Sequence, residues 1–421
     1  MTQQVWPPVA GQRIAIAGAG ISGLVCAHLL AESHEVTVFE AAGYLGGHTN
    51  TINVNVAGVE QSVDTGFIVY NDSYYPGFKK LLERLKVASQ RTTMSLSLRC
   101  DAEGLEYSGA SLNALFAQRR NLLRPGFWRM LADVLRFQRS GLAQLPALPD
   151  ETTVGAFVQN EGYSAEFVRY FLAPMGSALW SAPVGQFLEF PIRFVIEFFA
   201  NHGMMQVLGR PDWRVIRGGS QRYVEALVSR TAARFRTSTP VRSVARSADR
   251  VRVNGEPFDH VIFACHSDQA LAILGAEATA VEREVLGHFP YQCNEAVLHT
   301  DTRFLPRRRR AWACWNYRLA PELERSAAVT YNMNLLQSLR SPETFCVSLN
   351  EESIEPAKVI KRITYHHPVF RPGRRVMQAR QTELIGPNRT SFCGAYWGFG
   401  FHEDGVRSAL AVCRHFGKEL D

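Results

Sequence analysis

The chain has 421 residues, of which 46% are apolar and 20% charged, and it carries a net charge of +7. This balance can bury a large core and excludes low-complexity disorder, a collagen-like repeat and a disulfide-built miniprotein. Eight cysteines stand singly with no C-x-x-C pair or Cys/His cluster at metal spacing, and no run of about 18 apolar residues or basic-then-apolar leader is present; a reduced, cytoplasmic protein with no metal site, no membrane span and no export signal is expected.

Residues 1 to 12 read as a short tail. Arg13 to Ala17 is then a compact apolar strand, Gly18-Ala19-Gly20-Ile21-Ser22-Gly23 a glycine-rich turn, Leu24 to Glu32 a helix, and Glu35 to Glu40 a second strand ending in an acid. In this βαβ opening Gly18, Gly20 and Gly23 answer three needs: a tight turn, a backbone that can approach a pyrophosphate, and close packing of helix on strand. The helix start, with Ile21 and Ser22, offers free N–H groups and a positive dipole end to phosphates. Glu40 lies 17 residues past Gly23, where a carboxylate can accept bonds from a ribose. Together these features predict dinucleotide binding.

From Pro76 to about Arg210 the pattern reads as mainly helical, with Phe78, Leu81, Leu82 and Leu85 at helical spacing and apolar and arginine residues carried together over Leu112 to Gly141. Strands are expected at Pro240 to Val244, Val251 to Val253 and Phe258 to Ala264, with Asn254-Gly255 as a hairpin turn. Further short strands are expected around Cys293 to His299, Trp312 to Tyr317, Val329 to Asn334, Phe345 to Leu349 and Ile360 to Tyr365. A last strand, a glycine-rich turn and a helix from about Gly405 to Phe416 close the chain. A second helix start aimed at the ligand suits the electron-rich edge of a reduced isoalloxazine.

The combination G-x-G-x-x-G…E, Gly46-Gly47-His48 and Gly394-Ala395…Glu403-Asp404-Gly405 resembles the flavin-containing amine oxidase and phytoene desaturase superfamily. The blocks Asp64-Thr65-Gly66-Phe67-Ile68-Val69-Tyr70-Asn71, Gly218-Gly219-Ser220-Gln221-Arg222-Tyr223, Ala264-Cys265-His266-Ser267-Asp268, Thr364-Tyr365-His366-His367-Pro368 and Cys393 to Gly398 are similar to its bacterial branch of NAD/FAD-binding oxidoreductases. The resemblance implies an α/β fold in which a Rossmann-type (GR2-like) FAD-binding domain, residues 1–75, 211–290 and 375–421, is interleaved with an α+β substrate domain, residues 76–210 and 291–374. It implies one FAD, with Glu40 at the adenosine ribose, Ile21 and Ser22 at the pyrophosphate, Gly46, Gly47 and His48 running past phosphate and flavin, Val241 at adenine, and Gly394, Glu403 and Asp404 by the flavin. Two departures stand out: Tyr44 occupies the place of the usual arginine before the glycine pair, and none of the six lysines falls in the strands from Cys293 to Tyr331.

Candidate proton-handling groups are His402, His366 and Tyr365. Aromatics at Phe187, Phe190, Phe194, Phe198 and Phe199 either line an apolar tunnel or fill a core. The expected activity is FAD-dependent dehydrogenation of an apolar small molecule or lipid, with a fatty-acyl chain as the leading substrate and an unidentified electron acceptor. An amine oxidase, a flavin-dependent double-bond isomerase and a non-catalytic flavoprotein are the alternatives. Six arginines against Asp133 between Arg119 and Arg139, mixed with apolar residues, fit either a packed helix with solvated charges or a helix lying on the inner face of an anionic membrane. No nucleic-acid-binding module accompanies the charge.

Overall fold

The computed structural model describes residues 10–206, 211–319 and 329–420, so the reading of residues 1–9 as tail lies outside the described residues. Strand β1 (Arg13–Ala17), helix α1 (Ile21–Leu30) and strand β2 (Glu35–Phe39) form the expected βαβ opening. β1 is apolar from Ile14 onward and sits at the centre of a five-stranded parallel sheet, as a strand buried on both faces must. Its neighbours in the sheet are β2 and His260–Phe263, and the outer strands are Arg234–Arg236 and Thr390–Phe392. Three distant stretches of chain therefore build one layer.

A second, seven-stranded sheet runs in the order Val359–Pro368, Tyr291–His299, Cys346–Leu349, Val329–Asn332, Trp315–Leu319, Leu96–Cys100, Leu105–Ser108. Its last two strands correct the reading of residues 76 to 210 as mainly helical. Leu96, Leu98 and Cys100 alternate with Ser97 and Arg99, a period of two that marks a strand even within a helical neighbourhood. Ser89–Thr92 is also a strand, and with Val69–Asn71 and Trp213–Ile216 it forms a small sheet that bridges the two layers. The stretch Leu112 to Gly141 is helical in pieces: short helical turns at Leu112–Leu115 and Arg119–Leu123 are followed by a helix over Pro125–Gln144, because proline is tolerated only at a helix start. The expected strand at Pro240 to Val244 begins only at Val244. The Asn254-Gly255 turn forms as expected, with φ of 51° and 85°.

The aromatic run packs as core. Phe187, Phe190, Phe198 and Phe199 are at most 2% exposed, among the helices Ala173–Trp180 and Ile192–Asn201. Of the five phenylalanines named for a tunnel, Phe198 alone also reaches the main cavity.

The layers are joined by buried polar groups. Asp64, with no exposure, receives Thr51 Oγ1–H at 2.6 Å and the Ser220 backbone N–H at 2.8 Å on Oδ1, and Ser220 Oγ–H at 3.0 Å and Gln337 Nε2–H at 2.9 Å on Oδ2. Glu403, at the start of the C-terminal helix His402–His415, accepts the backbone N–H groups of Gly77 (3.0 Å) and Phe78 (2.9 Å), capping helix α2 (Pro76–Leu85) from a distant part of the chain. Asp64→Ala removes the acceptor of four hydrogen bonds in a dry environment and is expected to lower stability by about 3 kcal/mol or more, read as a lower urea midpoint. Asp64→Asn should also destabilise, since its amide nitrogen must face one of the donors.

Candidate functional site

A cavity of about 760 Å³ runs from the glycine turn after β1 to the helical aromatics of the second layer. At its first end Gly18 has φ +107°, and a Cβ there would sit 2.8 Å from the Ala264 carbonyl oxygen, so the turn can close only on glycine. A Cβ at Gly23 would lie 2.0 Å from the Gly18 carbonyl oxygen, which makes Gly23 the contact of helix on strand, behind the cavity wall. At Gly20 a Cβ would meet nothing within 4 Å: that face is open to the cavity, beside Gly46 and Gly47. Glu40 accepts the backbone N–H groups of Ala19 and Ala42, each at 2.8 Å, so its carboxylate is held in place with lone pairs to spare for a diol. Val241, in extended chain ahead of its strand, lines the same end, as do Ile21 and Ser22. Ser22 Oγ–H donates to the Gly405 carbonyl at 2.9 Å, and a Cβ at Gly405 would lie 2.7 Å from Ile21 Cγ2. Gly405 thus packs the C-terminal helix on α1.

The C-terminal helix begins at His402, three residues before the expected start. Glu403, Asp404 and Gly405 stand behind the cavity wall and not on it. Glu403 is turned to α2, and Asp404 Oδ2 accepts the backbone N–H groups of Phe399 (3.0 Å) and Phe401 (2.9 Å). Gly394 does line the cavity, and its N–H donates to Ser408 Oγ at 2.9 Å. Arg374 and Gln378 donate to the carbonyls of Tyr396 and Gly398, which fixes the turn that follows.

Of the proton-handling candidates, Tyr365 is buried, donates or accepts with Thr65 Oγ1 at 2.9 Å and stacks on His48 with ring centroids 4.9 Å apart. Burial pushes its phenol up to about 12. His366 is the next residue on the strand and points to the opposite, exposed side, at the cavity rim. His402 lies against Phe67, rings 3.6 Å apart and 7° from parallel, and its Nε2 is engaged by Tyr223 Oη at 2.7 Å and Thr49 Oγ1 at 3.2 Å.

The structure sets further histidines beside these groups. His367 shares the Tyr365 face and comes within 5.6 Å of His48, which in turn lies 6.0 Å from His266. Asn294 Oδ1 accepts from Asn350 and Gln292, so its Nδ2–H is the donor to His367 Nδ1 at 2.8 Å and places the imidazole proton on Nε2. Burial pulls His48 down to about 4 and His266 and His367 down to about 3, so this cluster is neutral at physiological pH. In the aromatic end, His202 Nδ1–H donates to the Phe198 carbonyl at 2.9 Å, which leaves its Nε2 as a buried acceptor without a partner. The strand alternation of Thr364 to Pro368 was the available signal for His367; His202 follows a helix end with no motif to flag it.

The residues fit FAD, the group implied by the resemblance. His48, Trp180, His202, Trp315 and Tyr396 all line this cavity, and each carries a buried polar atom with no partner in the protein. The fit rests on the other end of the cavity, where the side-chain-free face of Gly20, Gly46 and Gly47 leaves room for a pyrophosphate and the carboxylate of Glu40 is held beside it. The glycine turn, Glu40 and Val241 would hold the adenosine and pyrophosphate, and Gly46 to His48 with Gly394 and Ala395 the flavin portion.

The family model for flavin-containing amine oxidoreductases matches residues 21–335. No curated relative matches the sequence. Among solved structures the chain is similar to a CLA-producing fatty acid isomerase from P. acnes, with 16% identity, a TM-score of 0.69, and 96% of this chain and 98% of that chain covered. It is similar to cyclohexylamine oxidase from Brevibacterium oxydans IH-35A at 15% identity and a TM-score of 0.68, covering 97% and 100%. An oxidoreductase from Methanosarcina mazei gives 13% identity, a TM-score of 0.64, and coverage of 96% and 100%.

Glu40→Ala should weaken FAD binding by about 1.5–3 kcal/mol, the usual cost of losing hydrogen bonds to a charged acceptor, measured by fluorescence titration of the apoprotein. A second expectation concerns acid. Six imidazoles (His48, His202, His260, His266, His299 and His367) are held by burial at about 3 or 4, below the unfolded value of 6.5. Below pH 6.5 the unfolded chain takes up protons that the folded one refuses, so the stability these groups confer is lost as pH falls toward their folded values. Asp64 and Asp404, raised to about 6 by burial, act in the opposite sense between roughly pH 4 and 6 but are only two against six. Thermal midpoint and FAD retention should both drop between about pH 7 and about pH 5.

Proposed function

Because the chain belongs to the flavin-containing amine oxidoreductase family, we propose that it is an FAD-dependent oxidoreductase whose substrate is an apolar chain, with a fatty-acyl group as the best fit. The fold accommodates both acyl-chain and amine enzymes, so the choice falls to the cavity. One observation carries the reading: among the described residues lining the cavity, the sole charged side chain is Glu40, at the adenosine end. The rest of the wall includes Met94, Leu179, Trp180, Trp315, Leu349 and Phe370. An ammonium group would lose its hydration there without a counter-charge. A methylene chain would gain about 0.8 kcal/mol for each group buried.

FAD, when bound, supplies the acceptor for the two electrons of the hydride. Dehydrogenation of a CH–CH unit also releases a proton from the neighbouring carbon, whose C–H electron pair becomes the new double bond. His202, on the cavity wall, is the group we assign to that proton, which reaches its Nε2 once a bound chain has displaced the side chains that cover this atom. Its Nδ1–H is fixed on a carbonyl, its Nε2 lone pair is unpaired, and burial holds it neutral with its pKa down to about 4. The ring is stacked on Phe198 at 3.8 Å and lies 5.6 Å from Phe401, so its orientation is set by packing. Tyr365, which keeps its proton, and His402, whose Nε2 is already engaged, serve in this reading to position the Thr65–Phe67 segment. The electrons leave to an external acceptor.

The test is anaerobic mixing of the holoprotein with acyl-chain lipids and with a panel of amines, following the long-wavelength flavin absorbance. Acyl lipids should bleach the flavin, amines should not, and His202→Phe should slow bleaching by about 10²-fold or more at unchanged FAD content. Bleaching by amines alone would turn the assignment to amine oxidation, and double-bond migration without bleaching would turn it to isomerisation.

A further inference from the structure

The helix Pro125–Gln144 is apolar on two sides. Phe127, Met130, Phe137 and Gly141 face inward and are buried. Trp128, Leu135 and Leu142 recur every seven residues, a spacing that returns to the same side of a helix with a drift of about 20° per step, and that side is the outer one. Their exposures are 48%, 42% and 43%. Leu112, Leu122 and Leu123, which precede the helix, are 78%, 46% and 86% exposed. Among the described residues these six account for most of the ten large apolar side chains that face solvent. An outward helix face is ordinarily polar, so apolar side chains gathered on one mark a contact.

The cations around this face narrow down what it meets. Arg129 pairs with Glu166 at 2.9 Å and Arg136 with Asp133 at 3.1 Å. Arg119 donates to the Phe116 carbonyl and the Asn113 side-chain oxygen, Arg120 to the Gly104 carbonyl and Arg124 to the Glu103 carbonyl. These acceptors are neutral and leave the positive charge uncompensated. Arg139 lies on the stripe itself, between Leu135 and Leu142, and is exposed.

We propose that this face docks on the surface of an anionic lipid bilayer. The helix would lie parallel to the membrane plane, with Trp128, Leu135 and Leu142 at the headgroup boundary and the arginines on lipid phosphates. A second copy meeting the same face would set arginines against arginines, whereas an anionic lipid surface complements both the charge and the apolar stripe. Contact of this kind needs no spanning segment, and no helix among the described residues is long and apolar enough to cross a membrane. The inference does not rest on the substrate assignment, because surface binding is measured without substrate or turnover.

The experiment is cosedimentation of the FAD-loaded protein with phosphatidylcholine vesicles, with and without phosphatidylglycerol, at low and high salt. The protein should partition onto the anionic vesicles at low salt, bind the neutral ones less, and be released as salt screens the charges. Arg119→Gln/Arg139→Gln should lower the partition coefficient about 25-fold, from about fivefold per arginine near such a surface, and Leu135→Ser/Leu142→Ser on the order of tenfold, both with flavin absorbance and unfolding midpoint unchanged. Wild-type protein that ignores anionic vesicles at low salt overturns the proposal. So does partition that neither pair of substitutions alters. A concentration-dependent dimer that the leucine pair abolishes, without vesicle binding, overturns it in favour of a second copy of the chain.

Discussion

Asp64 is a carboxylate sealed from water, and its oxygens draw donors from Thr51, Ser220 and Gln337, three stretches of chain far apart in the sequence. Leaving such a group unpaired costs more than any one apolar contact returns, so the segments must converge on it together. Their convergence sets the cavity. The hairpin that ends at Asp64 leads directly into Thr65 to Phe67 on the cavity wall, the Ser220 turn starts the helix that carries Tyr223, and Gln337 ends the short helix Met333–Gln337 that joins two strands of the second sheet. Glu403 does the same for α2, and Tyr223 carries the linkage on to His402.

The chemistry of the site follows from dryness. A wall with one carboxylate at its far end and neutral imidazoles along its length cannot hold a cation cheaply, yet it can hold a proton-accepting nitrogen in a fixed direction. His202 and His367 are each oriented through Nδ1, by a carbonyl in one case and an amide in the other, and this opposite polarity gives one a free lone pair and the other an N–H. The same desolvation that lowers their pKa values is what makes the folded molecule sensitive to acid.

The outer face of the helix Pro125–Gln144 obeys a different rule, since its leucines and tryptophan stay 42–48% exposed even though Trp128 packs beside Phe116 and donates to the Leu122 carbonyl. The inward residues alone would hold the helix in place. That the outward side is apolar as well points to a second neighbour outside the chain.

How much of this was legible in the sequence depends on whether a feature is local. The glycine turn, Glu40 and the strand–helix–strand opening were readable because a pyrophosphate-sized approach needs particular residues within about 30 positions, and the composite of distant motifs carried the resemblance to a flavin family. The strand over Leu96 to Cys100 was present as a period of two and was overridden by its helical surroundings. The partners of Asp64, the turning of Glu403 and Asp404 away from the cavity, the pairing of Tyr365 with His367 across from His48 and the unpaired Nε2 of His202 were decided by tertiary structure alone. A hydrogen bond between residues hundreds of positions apart leaves no periodicity behind, and a histidine's role is set by which of its two nitrogens finds a partner, a matter of packing that residue type cannot encode.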